Sequence, residues 1–140
     1  MIYFTTKIRY DKTTDDGSVK KVTESYLLDA VSFSEAEKRI TSDMPELISG
    51  DFEVSAIAKK DYQEIVLSNN DKDDKYYEVK YKVKEINENN GKEKSTSYVL
   101  LVQASNIETA KRYFDEHMKD TVYDFEVSSL RETDYMDYYF

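Results

Sequence analysis

The chain has 140 residues, with 29 Asp and Glu against 20 Lys and Arg, for a net charge of -9 and a pI near 4.7. That length suits one domain or two small halves sharing a core, and 14% aromatic residues argue for a folded chain in spite of 35% charged residues and a mean hydropathy of -0.76. No cysteine is present, which excludes disulfides, thiolate metal sites and cysteine nucleophiles, and three glycines are too few for a P-loop or a Rossmann phosphate cradle.

Residues 3–10 alternate, with Phe4, Thr6, Ile8 and Tyr10 on one face and Thr5, Lys7 and Arg9 on the other. Period two predicts a strand buried on one side. Residues 11–20 are polar and hold Asp16-Gly17, a hairpin signal. A second strand is expected over about 21–30, with Tyr26, Leu28 and Ala30 inward. Ser32 and Ser34 each offer a helix cap, and Phe33, Ala36, Ile40, Met44 and Leu47 then recur at helical spacing. Pro45 ends or kinks that helix. Gly50 lets the chain turn into a third strand, Phe52 to about Ala58, and Tyr62 to Leu67 suits a short fourth.

Residues 68–75 carry no apolar side chain and read as a linker. The plan then repeats. Tyr77, Val79, Tyr81 and Val83 alternate with Glu78, Lys80, Lys82 and Lys84; Asn90-Gly91 supplies the turn; Tyr98, Leu100, Val102 and Ala104 form the partner strand. Asn106 caps a helix whose buried face is Ile107, Ala110, Phe114 and Met118. The pentapeptide Asp51-Phe52-Glu53-Val54-Ser55 returns as Asp124-Phe125-Glu126-Val127-Ser128, and around it the halves align almost end to end. The expected architecture is α+β: a tandem duplication of a β-β-α-β(β) unit, mainly antiparallel, with one helix per repeat and a pseudo-two-fold. Its parts are a first repeat at 1–67, a polar linker at 68–75 and a second repeat at 76–140, the two making one compact domain.

The segments Tyr3–Tyr10 (YFTTKIRY), Lys21–Glu37 (KVTESYLLDAVSFSEAE), Gly50–Ser55 (GDFEVS) and Tyr98–Ala104 (YVLLVQA) resemble a domain-of-unknown-function family of small duplicated proteins from gut bacteria and their phages. The resemblance covers essentially the whole chain and implies an intracellular bacterial or phage protein. It implies no catalytic motif.

His117 is the single histidine. A metal site on it would draw on Asp115, Glu116 or Asp120, which lie too close in sequence to converge, so a partly exposed histidine at a helix end is expected. Acids at 11–17 and 71–74 lack calcium-loop spacing, and no cofactor or metal is expected. Lys7 and Arg9, with Lys80, Lys82 and Lys84, form a basic face suited to single-stranded nucleic acid if the two strands join, but alternation puts the tyrosines on the opposite face from the lysines. The C-terminal residues Tyr135, Asp137, Tyr138, Tyr139 and Phe140 are candidate binding residues, either as an acidic Phe-terminated tail or as a folded strand of the second repeat.

The N-terminus shows no basic region followed by an apolar run, and no stretch reaches the ~18 apolar residues of a membrane span, so a cytoplasmic location is expected. Acids exceed bases by 13 to 9 in both 1–67 and 76–140, a spread that repels phosphate backbones. The expected function is a non-enzymatic protein-binding module that engages a basic, nucleic-acid-handling partner as an accessory or inhibitor. The alternatives are a single-stranded nucleic-acid-binding accessory protein and a small-molecule sponge with a tyrosine-lined pocket between the halves. A homo-oligomer is compatible with each.

Overall fold

The computed structural model describes residues 2–43 and 51–139. In chain order the elements are β1 (Ile2–Thr13), β2 (Val19–Ala30), α1 (Phe33–Asp43), β3 (Phe52–Lys60), β4 (Glu64–Val66), β5 (Lys75–Ile86), β6 (Glu93–Ala104), α2 (Ile107–Met118), β7 (Phe125–Glu132) and β8 (Tyr135–Tyr139). The fold is α+β, with two helices and two mainly antiparallel sheets of order β3-β1-β2-β8 and β4-β6-β5-β7. It divides into two compact units, Met1–Asp61 with Asp134–Phe140, and Tyr62–Thr133.

Each sheet is built on a long hairpin whose register keeps one set of alternate residues facing a helix. In the first unit Phe4, Ile8, Tyr26, Leu28 and Ala30 pack with Ala36 and Ile40 of α1. Tyr77, Val79, Tyr81, Val83, Leu100, Val102 and Ala104 pack with Ala110, Phe114 and Met118 of α2 in the second. Gly17 and Gly91 have φ of +84° and +66°, the left-handed backbone that tight turns require. In the first turn the Asp16 carboxylate accepts from Ser18 N at 3.0 Å, Ser18 Oγ at 2.6 Å and the Thr14 hydroxyl. Donation from Ser18, then Thr14, holds its pKa down at about 2.

Both helices start where the capping pattern puts them. The Ser32 hydroxyl accepts from Glu35 N at 3.2 Å, and the Asn106 side chain accepts from Thr109 N at 2.8 Å. Phe33 and Ile107, expected inside, are 54% and 51% exposed. As the first residue of its helix each stands at the rim of the buried stripe, and Phe33 makes an edge contact with Phe4, ring centroids 4.9 Å apart. Met44, Pro45, Leu47 and Gly50 lie outside the described residues. Burial also reaches Thr5, Ser25, Leu27, Tyr76 and Leu101 on the sheet faces turned away from the helices, so the one-sided pattern read from alternation is incomplete.

The repeated pentapeptide builds the same device twice. It opens β3 and β7, each an outer strand of its sheet, with Phe52 and Val54 packed on one core and Phe125 and Val127 on the other. In both strands the register skips the closing serine. Lys7 and Ile8 of β1 face Ala56 and Val54 with Ser55 left out, and Lys80 and Tyr81 of β5 face Ser129 and Val127 with Ser128 left out. A bulge at a sheet edge twists the strand away from edge-to-edge association.

The expected division at the linker is not how the strands are partitioned. β4 follows β3 in the chain yet pairs in parallel with β6, and β8 follows β7 yet pairs in parallel with β2. The halves thus exchange their last strands. Within the first sheet β3 and β8 both run parallel to β2, so reaching the β8 position directly from β3 would need a return crossover of a dozen or more residues. Only Asp61–Gln63 separate β3 from β4, and only Thr133 and Asp134 separate β7 from β8. Connectors of that length carry the chain onward, not back.

Residues 68–75 are likewise not a solvated linker. Asp73 is 3% exposed and accepts from the Ser68 hydroxyl and from Tyr113 Oη at 2.8 Å, while Lys75 already belongs to β5. Burial pushes the Asp73 carboxyl up, but donation from Ser68, Tyr113 and Ser105 outweighs it and leaves the pKa lowered. A lowered folded-state pKa contributes stability above the ordinary carboxylate range, and that stability is lost as pH falls through the folded value. Asp73→Asn is therefore expected to cost about 1–3 kcal/mol in urea denaturation at neutral pH. The gap to the parent chain closes below about pH 4.

Candidate functional site

The C-terminal candidates are placed by β8. Tyr139 packs on the first core and stacks on Tyr26 with centroids 5.7 Å apart, Tyr138 Oη donates to Asp29 Oδ1 at 2.6 Å beside Tyr3, and Tyr135 is buried. Burial, then the Asp29 carboxylate, push the Tyr138 hydroxyl up. Asp137 is exposed, its carboxylate accepting from Tyr138 N at 2.8 Å, and Phe140 lies outside the described residues. Tyr135, Asp137, Tyr138 and Tyr139 form neither a free tail nor a strand of the second unit. They complete the first sheet, because the chain after β7 cannot fold back into its own sheet.

The basic candidates are divided between the units. Lys7 and Arg9 are exposed on β1, and Lys80, Lys82 and Lys84 on β5. Register sets Glu53 directly across from Arg9 and Glu126 across from Lys82, so the glutamate of each pentapeptide faces a base. Opposite charges in such positions attract across a sheet. The residues directly across from Lys80 and Lys82 on β6 and β7 are Val99, Ser97, Ser129 and Glu126, none of which offers a ring for a base to stack on. Tyr77 and Tyr81 are in the core on the other face.

Sequence reasoning missed the partner of His117. The imidazole Nε2 lies 2.8 Å from Glu64 Oε2 on β4, a residue 53 positions earlier. Only the strand exchange brings them together, since β4 enters beside β6 with Glu64 opposite Leu100. Among the described residues no three His, Cys, Asp or Glu side chains gather to hold a metal ion.

His117 stands between two grooves of the second unit. One, of ≈ 560 Å³, is bordered by Val66, Leu67, Asn69, Asn70 and Tyr113, with Asp73 bracing Tyr113 from behind. The other, of ≈ 420 Å³, opens where α2 ends and the sheet continues beyond it. Tyr81 and Tyr98 form its floor, ring centroids 5.7 Å apart, and Phe114 and Phe125 pack behind Tyr81 at 5.6 and 6.1 Å. The Tyr81 hydroxyl is pushed up by burial, then by Tyr98 and Glu64. Glu64, Glu85 and Tyr123 complete the rim. This tyrosine-lined groove lies wholly within the second unit.

Among the described residues no helix is long and apolar enough to cross a membrane. Comparison with curated proteins and with solved structures finds no match. The sequence profile of one family matches residues 2–140, and the chain belongs to that family, described as a domain of unknown function (DUF4494).

Proposed function

We propose that the chain is a non-enzymatic binding module that engages a basic protein, of the kind that handles nucleic acid, as an accessory or inhibitor in a bacterial cytoplasm. The observation that carries this reading is how the surface charge is shared out. Four bases are ion-paired: Lys75 to Glu132 at 3.4 Å, Lys111 to Asp115 at 2.5 Å, Lys119 to Glu116 at 3.1 Å and Arg131 to Glu78 at 2.9 Å. The excess of -9 is left to acids, which attract a basic partner and repel phosphate backbones.

The same reading includes a tandem duplication with a pseudo-two-fold. In its support, strand order β3-β1-β2-β8 becomes β7-β5-β6-β4 when each element is replaced by its counterpart in the other half, and both outer strands bulge at the same serine of the repeated pentapeptide. A module of this kind offers one surface chemistry twice, and a partner with two matching patches gains from both contacts.

The test is affinity capture from a bacterial lysate with the full chain, alongside a gel-shift titration with single-stranded DNA. A basic protein that is retained at low salt, released as salt rises and lost with Glu53→Lys plus Glu126→Lys is the expected result. Retardation of DNA that weakens with salt and vanishes on changing Lys80, Lys82 and Lys84 to Glu would instead establish the nucleic-acid alternative.

A further inference from the structure

We infer that the smaller groove of the second unit, at the C-terminal end of α2, is a binding site for an alkylammonium group, the lysine side chain of a protein partner. This deepens the reading above and in part rests on it. The groove's lining holds the carboxylates of Glu64 and Glu85 and the rings of Tyr81, Tyr98 and Tyr123, and no Lys or Arg. Aromatic faces attract a cation through their quadrupole, and carboxylates at the rim add a direct charge. His117 is the one other ionisable side chain in the wall and is tied to Glu64 at 2.8 Å.

Three further features favour a cation here. The groove lies at the carbonyl end of α2, whose C-cap is Lys119, and a helix C-terminus carries partial negative charge. Lys119 itself is 61% exposed and held by Glu116 at 3.1 Å, so it is not the groove's own occupant. Period two keeps Glu85 on the face of Tyr81 and Val83; Lys94 of β6 stands across from it in the register, and the two make no ion pair among the described residues.

The first unit lacks this chemistry at the corresponding place. Where the second sheet has Glu85 the first has Lys12. Where the second has Tyr98 the first has Glu24, which accepts from both Tyr10 and Tyr26. Donation to Glu24 pushes the Tyr10 hydroxyl up to about 12. The carboxylate is already occupied by the unit's own hydroxyls, and the site belongs to the second unit alone.

The experiment follows tyrosine ring resonances of the full chain during titration at low salt with butylammonium, with capped lysine (N-acetyl-lysine amide) and with butanol as the neutral isostere. Saturable shifts at Tyr98 and Tyr123 are expected with both cations, at a half-saturation of about 1–10 mM. Glu85→Gln and Tyr123→Ser, both at exposed positions, should each weaken binding roughly 3- to 10-fold. Butanol binding as tightly as butylammonium, or no saturable shift with either cation, would overturn the site. Binding of butylammonium without capped lysine would overturn the lysine assignment. If both cations bind but no protein is captured, the partner reading fails and the site stands; if a basic partner is captured and neither cation shifts these rings, the site fails and the partner reading stands.

Discussion

A chain ended at Thr133 is expected to lose the fold of its first unit while the second keeps its own. The seven residues removed include β8, which lies beside β2 and closes the sheet formed by β1, β2 and β3. With β8 go the stack of Tyr139 on Tyr26, the hydrogen bond from Tyr138 to Asp29 and the buried ring of Tyr135. Truncating one large buried aromatic side chain costs about 3–5 kcal/mol. Tyr135 is buried and Tyr138 and Tyr139 half-buried, so their joint loss, with the strand pairing, approaches the roughly 5–15 kcal/mol that holds a whole domain folded. Amide hydrogen exchange separates the outcomes: protection should fall along Ile2–Thr13 and Val19–Ala30 and persist along Lys75–Ile86 and Glu93–Ala104. Loss confined to the second hairpin would mean that each half keeps its own last strand. A companion experiment divides the chain after Leu67. Either fragment then carries the other's fourth strand, and native tyrosine resonances should return only on mixing.

Phe114→Ala should be the costliest single substitution in the second unit. The ring is fully buried, with centroids 5.6 Å from Tyr81 and 6.0 Å from Phe125, and it joins α2 to both β5 and β7. The expected loss is about 3–5 kcal/mol, made up of lost burial and the cavity left behind, with the edge contacts adding about 0.5–1.5 kcal/mol each. Urea denaturation followed by tyrosine fluorescence gives the value, since the chain has no tryptophan to mask it. Phe114→Leu should recover part of the loss by refilling the volume. A cost below about 1 kcal/mol for the alanine variant would show that this ring does not anchor the helix to its sheet. Because Tyr81 also floors the ammonium groove, Phe114→Ala should weaken cation binding as well, whereas Glu85→Gln should weaken binding without lowering stability.

Much of the fold is legible in one dimension because its determinants are local. Alternation over Phe4–Tyr10 and Tyr77–Val83 depends only on the two-residue period of a strand. Glycine at the turns reflects backbone sterics, and Ser32 and Asn106 satisfy amides three residues away. The repeated pentapeptide announces two equivalent segments, and both prove to be bulged outer strands. Exposure of Phe33 and Ile107 was not legible, since helical spacing says which way a side chain points and not whether a neighbour covers the first turn. Residues 68–75 show the same limit from the other side. Their polarity reads as solvent, yet Asp73 is buried because Ser68, Tyr113 and Ser105 supply the hydrogen bonds that a buried carboxylate needs.

The sequence by itself determined the hairpins, the helices and the two apolar faces, since each follows from contacts within a few residues or from a regular period. Which sheet receives each closing strand was decided only in three dimensions. Tyr62–Leu67 (YQEIVL) and Tyr135–Tyr139 (YMDYY) carry no alternation that would assign either to one sheet over the other. Strand direction chooses between them, because a strand parallel to the one just finished cannot be reached through a connector of two or three residues. The pairing of His117 with Glu64, and the groove beside it, exist as a consequence of that choice.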